Sequence, residues 1–427
     1  MNIVYITAGA GGMHCGSCTR DAELVRALRA QGHDVLMLPL YTPPRVDGPS
    51  PAENRIFYGG INAWLQQHFS LFRRPLGALE RLLDSPALLS RVSKLAVSTE
   101  ARELGEMTVS VLKGREGRQK KELERLMDFL RAESRPDVVH ITNTLLSMLA
   151  PEIKERLGVP VVCGLQGEAE FVEEFPEPWK DRAVELIRRH ARSIDAFTVP
   201  YDGYIRDMAG FLDEGESRFR VVPPGLRTGL YDASPRSSDG PLRIGYLSRI
   251  NREKGIDLLV EAFRRLYVED GFDARLCVAG ELPKPSKEFW RELRDSLRED
   301  GLEDRLDFRG EVDGPGKKDF LTGCDVMVLP SRGLECRGMA CLEALAAGAP
   351  IVVPERGIFP EIIERTGGGI LFPPEDICSL AEAIEQLASE PETRGRMARD
   401  GRQGIEEHYS AHAAAAAALA VSREVVG

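Results

Sequence analysis

The stretch Pro330-Ser331-Arg332-Gly333-Leu334-Glu335-Cys336-Arg337-Gly338-Met339-Ala340-Cys341-Leu342-Glu343-Ala344-Leu345 carries two glutamates eight positions apart. Glu343 is the oddity. It stands in Met339–Ala347, a run that is otherwise apolar and mostly of small residues, and small apolar residues all round a helix mean burial. An unpaired carboxylate there costs on the order of several kcal/mol, so Glu343 must meet a partner, a helix N-terminus or a ligand. The apolar run Val326–Pro330 just before it reads as a strand, and the order is then strand, loop, helix. On one continuous helix, eight residues would turn Glu343 roughly 80° from Glu335. Placing Glu335 on the loop and Glu343 in the helix lets both carboxylates face one cleft.

The same alternation runs outward in both directions. Candidate strands in the first half are Ile3–Ile6, Val35–Leu40, Val138–Ile141, Val161–Leu165, Ala196–Pro200 and Val221–Val222. The second half offers Arg243–Leu247, Ala274–Ala279, Leu306–Arg309, Val326–Pro330, Ile351–Pro354 and Ile370–Phe372. Near-continuous apolar strands separated by helices imply α/β architecture with parallel sheets covered on both faces. Two such series in 427 residues imply two doubly wound, Rossmann-like domains. The turn-rich segments Pro223-Pro224-Gly225 and Ser234-Pro235-Arg236-Ser237-Ser238-Asp239-Gly240-Pro241 place the linker near 225–241. The domains are then 1–225 and 241–410, with 411–427 as a terminal helix. Open α/β sheets bind ligands at the carboxyl ends of their strands, so two facing sheets are expected to form a cleft.

Composition narrows the function. A net charge of −11 argues against a general nucleic-acid binder. No stretch approaches the ~20 apolar residues of a membrane-spanning helix, and Met1–Ile6 reads as a strand rather than a signal peptide. Eight cysteines without a regular framework suggest reduced thiols and a cytoplasmic location, at most peripheral at the inner face of a membrane. The region of about 60–135 breaks the alternation. Residues 66–135 hold 14 Lys+Arg against 10 Asp+Glu, with Trp64, Phe69, Leu71 and Phe72 near Arg73-Arg74. This helical, basic insert reads as an amphipathic pair with solvated faces; the alternative is a docking surface for an anionic acceptor or membrane headgroups.

Strand Arg243–Leu247 leads into Ser248-Arg249-Ile250-Asn251-Arg252-Glu253-Lys254-Gly255 and then an amphipathic helix. Arg249 and Lys254 thus flank a strand end and a helix start, which suits a diphosphate. Glu335 and Glu343 suit the paired hydroxyls of a sugar or a ribose. Gly338 and the amides of Met339 and Ala340 would stand at the helix start, ready for anionic oxygens. The first loop, Gly9-Ala10-Gly11-Gly12-Met13-His14-Cys15-Gly16-Ser17-Cys18, lets backbone approach a ligand but is neither a dinucleotide fingerprint nor a P-loop. Gly11, Gly12, His14 and Cys15 are candidates for lining the cleft. His14, Cys15 and Cys18 fall one ligand short of a zinc site, and no metal is expected. Cys15 and Cys18 also leave thiol chemistry open. His140 and Asn143, at the end of Val138–Ile141, are candidates for the same cleft, although a packed histidine and a helix-capping asparagine are the simpler reading.

In this order, Arg249, Lys254, Glu335, seven residues and Glu343 resemble the retaining glycosyltransferases of family four, which have the GT-B fold. Supporting motifs are Gly9–Gly12, Gln31-Gly32-His33-Asp34-Val35, Arg309-Gly310-Glu311-Val312, Cys324–Ser331, Glu343–Pro350 and Phe359–Ile363. The resemblance implies a nucleotide-diphosphate sugar as donor substrate, with no further cofactor. It implies that Arg249 and Lys254 neutralise the diphosphate, Glu335 holds the donor sugar and Glu343 the ribose, with Gly310 and Val312 on the donor side. It also implies that the terminal helix returns to the first domain.

Three places depart from the family pattern, the first being the loop that begins at Gly9. Cys336 and Arg337 precede Gly338 where the family has a small residue or proline and then Phe. Arg337 would meet an anionic sugar, a phosphate or an acidic acceptor, or pair locally. Where many members carry a histidine near the donor sugar, this chain has Gln166-Gly167-Glu168. Gln166 would then bond hydroxyls and Glu168 or Glu170 orient an acceptor, whether small molecule, lipid-linked or glycan. The rival readings are a nucleotide-sugar epimerase or hydrolase on the same fold and a degenerate nucleotide-sugar-binding protein.

Overall fold

The apolar runs pair into two six-stranded sheets in which every neighbouring pair is parallel. The computed structural model describes residues 1–9, 16–53, 55–73, 101–231, 240–268 and 271–427. Two units divide the chain: Met1–Gly225 with Ala411–Gly427, and Leu226–Ser410.

In the first unit β1 (Asn2–Thr7), β2 (Asp34–Pro39), β3 (Val138–Ile141), β4 (Val161–Gly164), β5 (Ala196–Val199) and β6 (Phe219–Val221) lie in the order β2-β1-β3-β4-β5-β6. Strands β3, β4 and β5 are buried along their whole length, as strands covered on both faces must be. Helix Ala411–Val426 belongs to this unit. Its Ala414, Ala415, Ala418, Leu419 and Val421 share a core with Ile3, Leu24, Leu28 and Val35. Small side chains let it lie close: a Cβ on Gly225 would come within 2.8 Å of the Ala414 methyl.

In the second unit β7 (Leu242–Leu247), β8 (Ala274–Ala279), β9 (Leu306–Gly310), β10 (Val326–Val328), β11 (Ile351–Pro354) and β12 (Gly369–Phe372) lie in the order β12-β11-β10-β7-β8-β9. Ile244, Leu259, Phe263, Leu276, Trp290, Val326, Val352 and Ile384 fill its core. Chain direction across each sheet reverses once, between β1 and β3 and between β7 and β10. Ligands of open α/β sheets sit beyond the carboxyl ends of strands at such points.

The insert after β2 is helical where described, over Gly60–His68, Ala101–Leu112 and Lys120–Phe129. Several of its cations are already paired: Arg115 with Glu152 (2.6 Å), Arg118 with Glu106 (2.9 Å) and Arg125 with Glu122 (2.6 Å). Trp64 and Phe69 are exposed, and the Trp64 indole donates to Glu103. Arg74 and the linker core 232–239 lie outside the described residues. Among the described residues no helix is long and apolar enough to cross a membrane.

Candidate active site

At the carboxyl edge of the second sheet, the loops after β7 and β10 are built against each other. Tyr246, buried in β7, donates its hydroxyl to the Arg249 carbonyl (3.0 Å), with the Lys254 carbonyl 3.3 Å away. Gly255 closes this loop with φ +71°, and a Cβ there would lie 1.9 Å from the Pro330 carbonyl oxygen. Only glycine meets both conditions. Arg332 forks onto Asp257 through Nη1 and Nη2 (2.8 and 2.9 Å), fixing the loop after β10 to the helix Ile256–Val268.

Glu335 stands on that loop, before the helix Met339–Ala346 begins. The Ile358 amide donates to its carbonyl (2.9 Å). Lys254 Nζ donates to its Oε2 at 3.1 Å. Burial alone would raise the Glu335 pKa; the charges of Lys254 and Arg337, the Lys254 hydrogen bond and the Gly338 amide outweigh it and hold the carboxyl below its ordinary value. Arg337 thus acts on Glu335 from two residues away. Gly338 caps the helix at φ +59°, and a Cβ there would press on Ile362 (2.9 Å) and Ile358 (3.2 Å). Met339 and Ala340 are half-buried in the first turn, where amides lack intrahelical partners.

Glu343 lies in the helix and is 6% exposed. Its partner is Lys317, whose Nζ is 2.7 Å from Oε1. Lys317 comes from helix Gly314–Thr322, after β9. Sequence reading missed it, although a helix following a strand in such a sheet begins at the carboxyl edge. Gly310 ends β9 with φ +67°, and its carbonyl accepts from the Gly280 amide at 2.8 Å. Val312 is half-buried two residues on. Arg249 is exposed, and among the described residues its guanidinium makes no hydrogen bond or ion pair. Of the charged groups at this edge, Arg249, Lys254, Arg337, Glu335 and Glu343 were singled out in the sequence and Lys317 was not.

The carboxyl edge of the first sheet is organised differently. Asp21, fully enclosed, accepts from Tyr5 (2.8 Å), Thr7 (3.2 Å), Thr142 (2.5 Å) and Arg20 (3.2 Å). Gln166 Nε2 donates to the Thr142 carbonyl (2.9 Å) and hydroxyl (2.8 Å) and reaches Asp21 at 3.4 Å. Its amide nitrogen is therefore engaged within the unit. Glu168 ties two loops together: Oε1 accepts from the Thr144 amide and hydroxyl (3.0 and 3.1 Å), and Oε2 from the Gln166 amide (2.7 Å). Burial holds its carboxyl above the ordinary value against those donors.

His140 is packed rather than presented to a ligand. Its Nε2 is 2.8 Å from the Ser422 hydroxyl, and its ring stacks on Tyr5. Burial, then the nearby Arg20, lowers its pKa to about 4. Gly11, Gly12, His14 and Cys15 lie outside the described residues, and with them the ligand and thiol readings of the first loop; Cys18 is buried. Asp21, Arg20 and Thr142 were not singled out in the sequence. An Arg-Asp pair at a helix start carries no recognisable spacing signal.

The model for "Glycosyl transferases group 1" matches residues 230–404, and that for "Glycosyl transferase 4-like domain" matches 16–225. Together they span most of both units. The chain belongs to the family-four glycosyltransferases, and it has the GT-B fold. Among relatives, 2-deoxystreptamine glucosyltransferase of Streptomyces kanamyceticus is 26% identical over 309 residues, 68% of this chain and 77% of that one. Sucrose-phosphate synthase of Thermosynechococcus elongatus superposes with a TM-score of 0.68 at 17% identity, covering 99% of each chain. HepE of Anabaena, solved in complex with UDP, gives 0.67 at 14% identity, covering 99% of this chain and 100% of that one. At these identities the solved structures speak for the fold. The chain is thus similar to glycosyltransferases along nearly its whole length.

Proposed function

We propose that this glycosyltransferase moves a hexosyl group from a nucleoside diphosphate sugar to an acceptor hydroxyl, with retention of anomeric configuration. The observation that carries this reading is the pair of lysine–carboxylate contacts at the carboxyl edge of the second sheet, Lys254–Glu335 and Lys317–Glu343. Arg249 and Lys254 neutralise the diphosphate. Glu335 receives the hydroxyls of the donor sugar, and Glu343 those of the ribose. As the bond from anomeric carbon to diphosphate oxygen breaks, its electron pair goes to the leaving phosphate. Arg249, Lys254 and the amides after Gly338 stabilise that growing charge. The acceptor oxygen attacks from the face the phosphate leaves, and its proton passes to the leaving phosphate oxygen. This route gives retention without a covalent intermediate. The acceptor is taken by the first unit. HepE has been solved in complex with UDP and glucose, so uridine diphosphate sugars are the first donors to try.

The test follows nucleoside diphosphate release from UDP-, ADP- and GDP-sugars with and without acceptor extracts. Acceptor-dependent release, with a product of unchanged anomeric configuration by NMR, is expected. Release without acceptor would favour the epimerase or hydrolase reading. No release from any donor would leave only a binding protein.

A further inference from the structure

We propose that Lys317 is a positioning residue of the nucleotide site, and that its ion pair with Glu343 sets the preference for ribonucleotide over 2′-deoxyribonucleotide. The inference rests on the nucleotide-sugar reading above. Glu343 is 6% exposed, on a helix whose Cys341, Leu342, Ala344 and Leu345 are all buried. Lys317 holds Oε1 at 2.7 Å. Among the described residues Oε2 makes no hydrogen bond, and it is not among the fully buried unpartnered oxygens. One oxygen is therefore anchored and the other is left to receive donors at a fixed angle.

Helix stability does not account for the lysine. Lys317 lies in the opening turn of Gly314–Thr322, with its amide donating to the Asp313 carbonyl (3.0 Å). A cation there works against the helix dipole. The gain is the pair itself, which offsets the cost of enclosing a carboxylate and stops it rotating. A vicinal diol supplies two O–H donors to such an acceptor. A 2′-deoxyribose supplies one, and a site built for two rejects the poorer ligand.

Calorimetric titration of the full chain with UDP, ADP and GDP and their 2′-deoxy counterparts tests this. The wild type should bind its preferred ribonucleotide roughly tenfold tighter than the deoxy form, as a charge-assisted hydrogen bond implies. Lys317→Met should erase most of that preference by weakening ribonucleotide binding alone, and Lys317→Arg should restore part of it. Lys317→Met/Glu343→Gln carries no uncompensated charge, keeps the test open if the single variant does not fold, and should discriminate no better than the single variant. Undiminished discrimination in these variants, or none in a wild type that binds nucleotides, overturns the role of Lys317 and leaves the nucleotide reading standing. Failure of the wild type to bind any of the six nucleotides overturns both.

Discussion

At the edge of the first sheet Asp21 is enclosed, and donors from Tyr5, Thr7, Arg20, Thr142 and Gln166 converge on it. At the edge of the second sheet Lys254 and the Gly338 amide meet Glu335 and Lys317 meets Glu343, while Arg249 is exposed. Both sheets reverse direction once and both gather charge at that place. The first spends its charge on itself, tying β1, β3 and β4 together. The second leaves hydrogen-bonding capacity over on its two carboxylates, which is what the proposed donor site needs. A shared topology thus marks the same place in both sheets, while the hydrogen bonds made there differ from one sheet to the other.

The comparison breaks most visibly at Lys254. Lys254→Ala should lower turnover roughly 100- to 1000-fold, the scale of one lost transition-state donor, with little change in the denaturant midpoint. A large loss of stability instead would make its pair with Glu335 a structural one like that of Asp21. The reciprocal change is Asp21→Asn. Removing a buried ion-pair partner costs about 3 kcal/mol, so the urea midpoint should fall steeply while nucleotide affinity of the second unit holds.

His140 sharpens the contrast with the smallest effect. Its pKa in the folded protein is about 4 against ~6.5 when unfolded. Between these values the unfolded chain binds the extra proton, so stability contributed by neutral His140 is complete above pH ~6.5 and is lost as pH falls toward 4. His140→Gln should flatten that slope, by about 1 kcal/mol per pH unit at most, in urea titrations between pH 6.5 and 4.5. An unchanged slope would mean that His140 is not held neutral by its packing.

Much of the fold was readable because buried parallel strands announce themselves as apolar runs. All twelve expected strands are present, with bounds that match or differ by at most two residues; the one expected at Val221–Val222 runs from Phe219 to Val221. The strand-loop-helix order around Glu335 and Glu343 was readable for the same reason. What the sequence did not reveal was pairing across distance. Glu343 demanded a partner, but Lys317 lies 26 residues upstream on an unremarkable helix. A packed His140 was the simpler expectation, but its partner Ser422 lies 282 residues away and left no trace in the sequence. Periodicity encodes which face is buried, whereas a single polar contact between distant elements leaves no periodic trace.

The helix Ala411–Val426 has a consequence for how the chain comes off the ribosome. The first unit is synthesised first, yet one wall of its core is made of Ala414, Ala415, Ala418, Leu419 and Val421. Until those residues emerge, Ile3, Leu24 and Val35 lack part of their cover. The second unit, by contrast, is one unbroken segment, Leu226–Ser410, and can close as soon as it is made. Vectorial folding, which normally favours the amino-terminal domain, is here inverted: the domain born first is completed last.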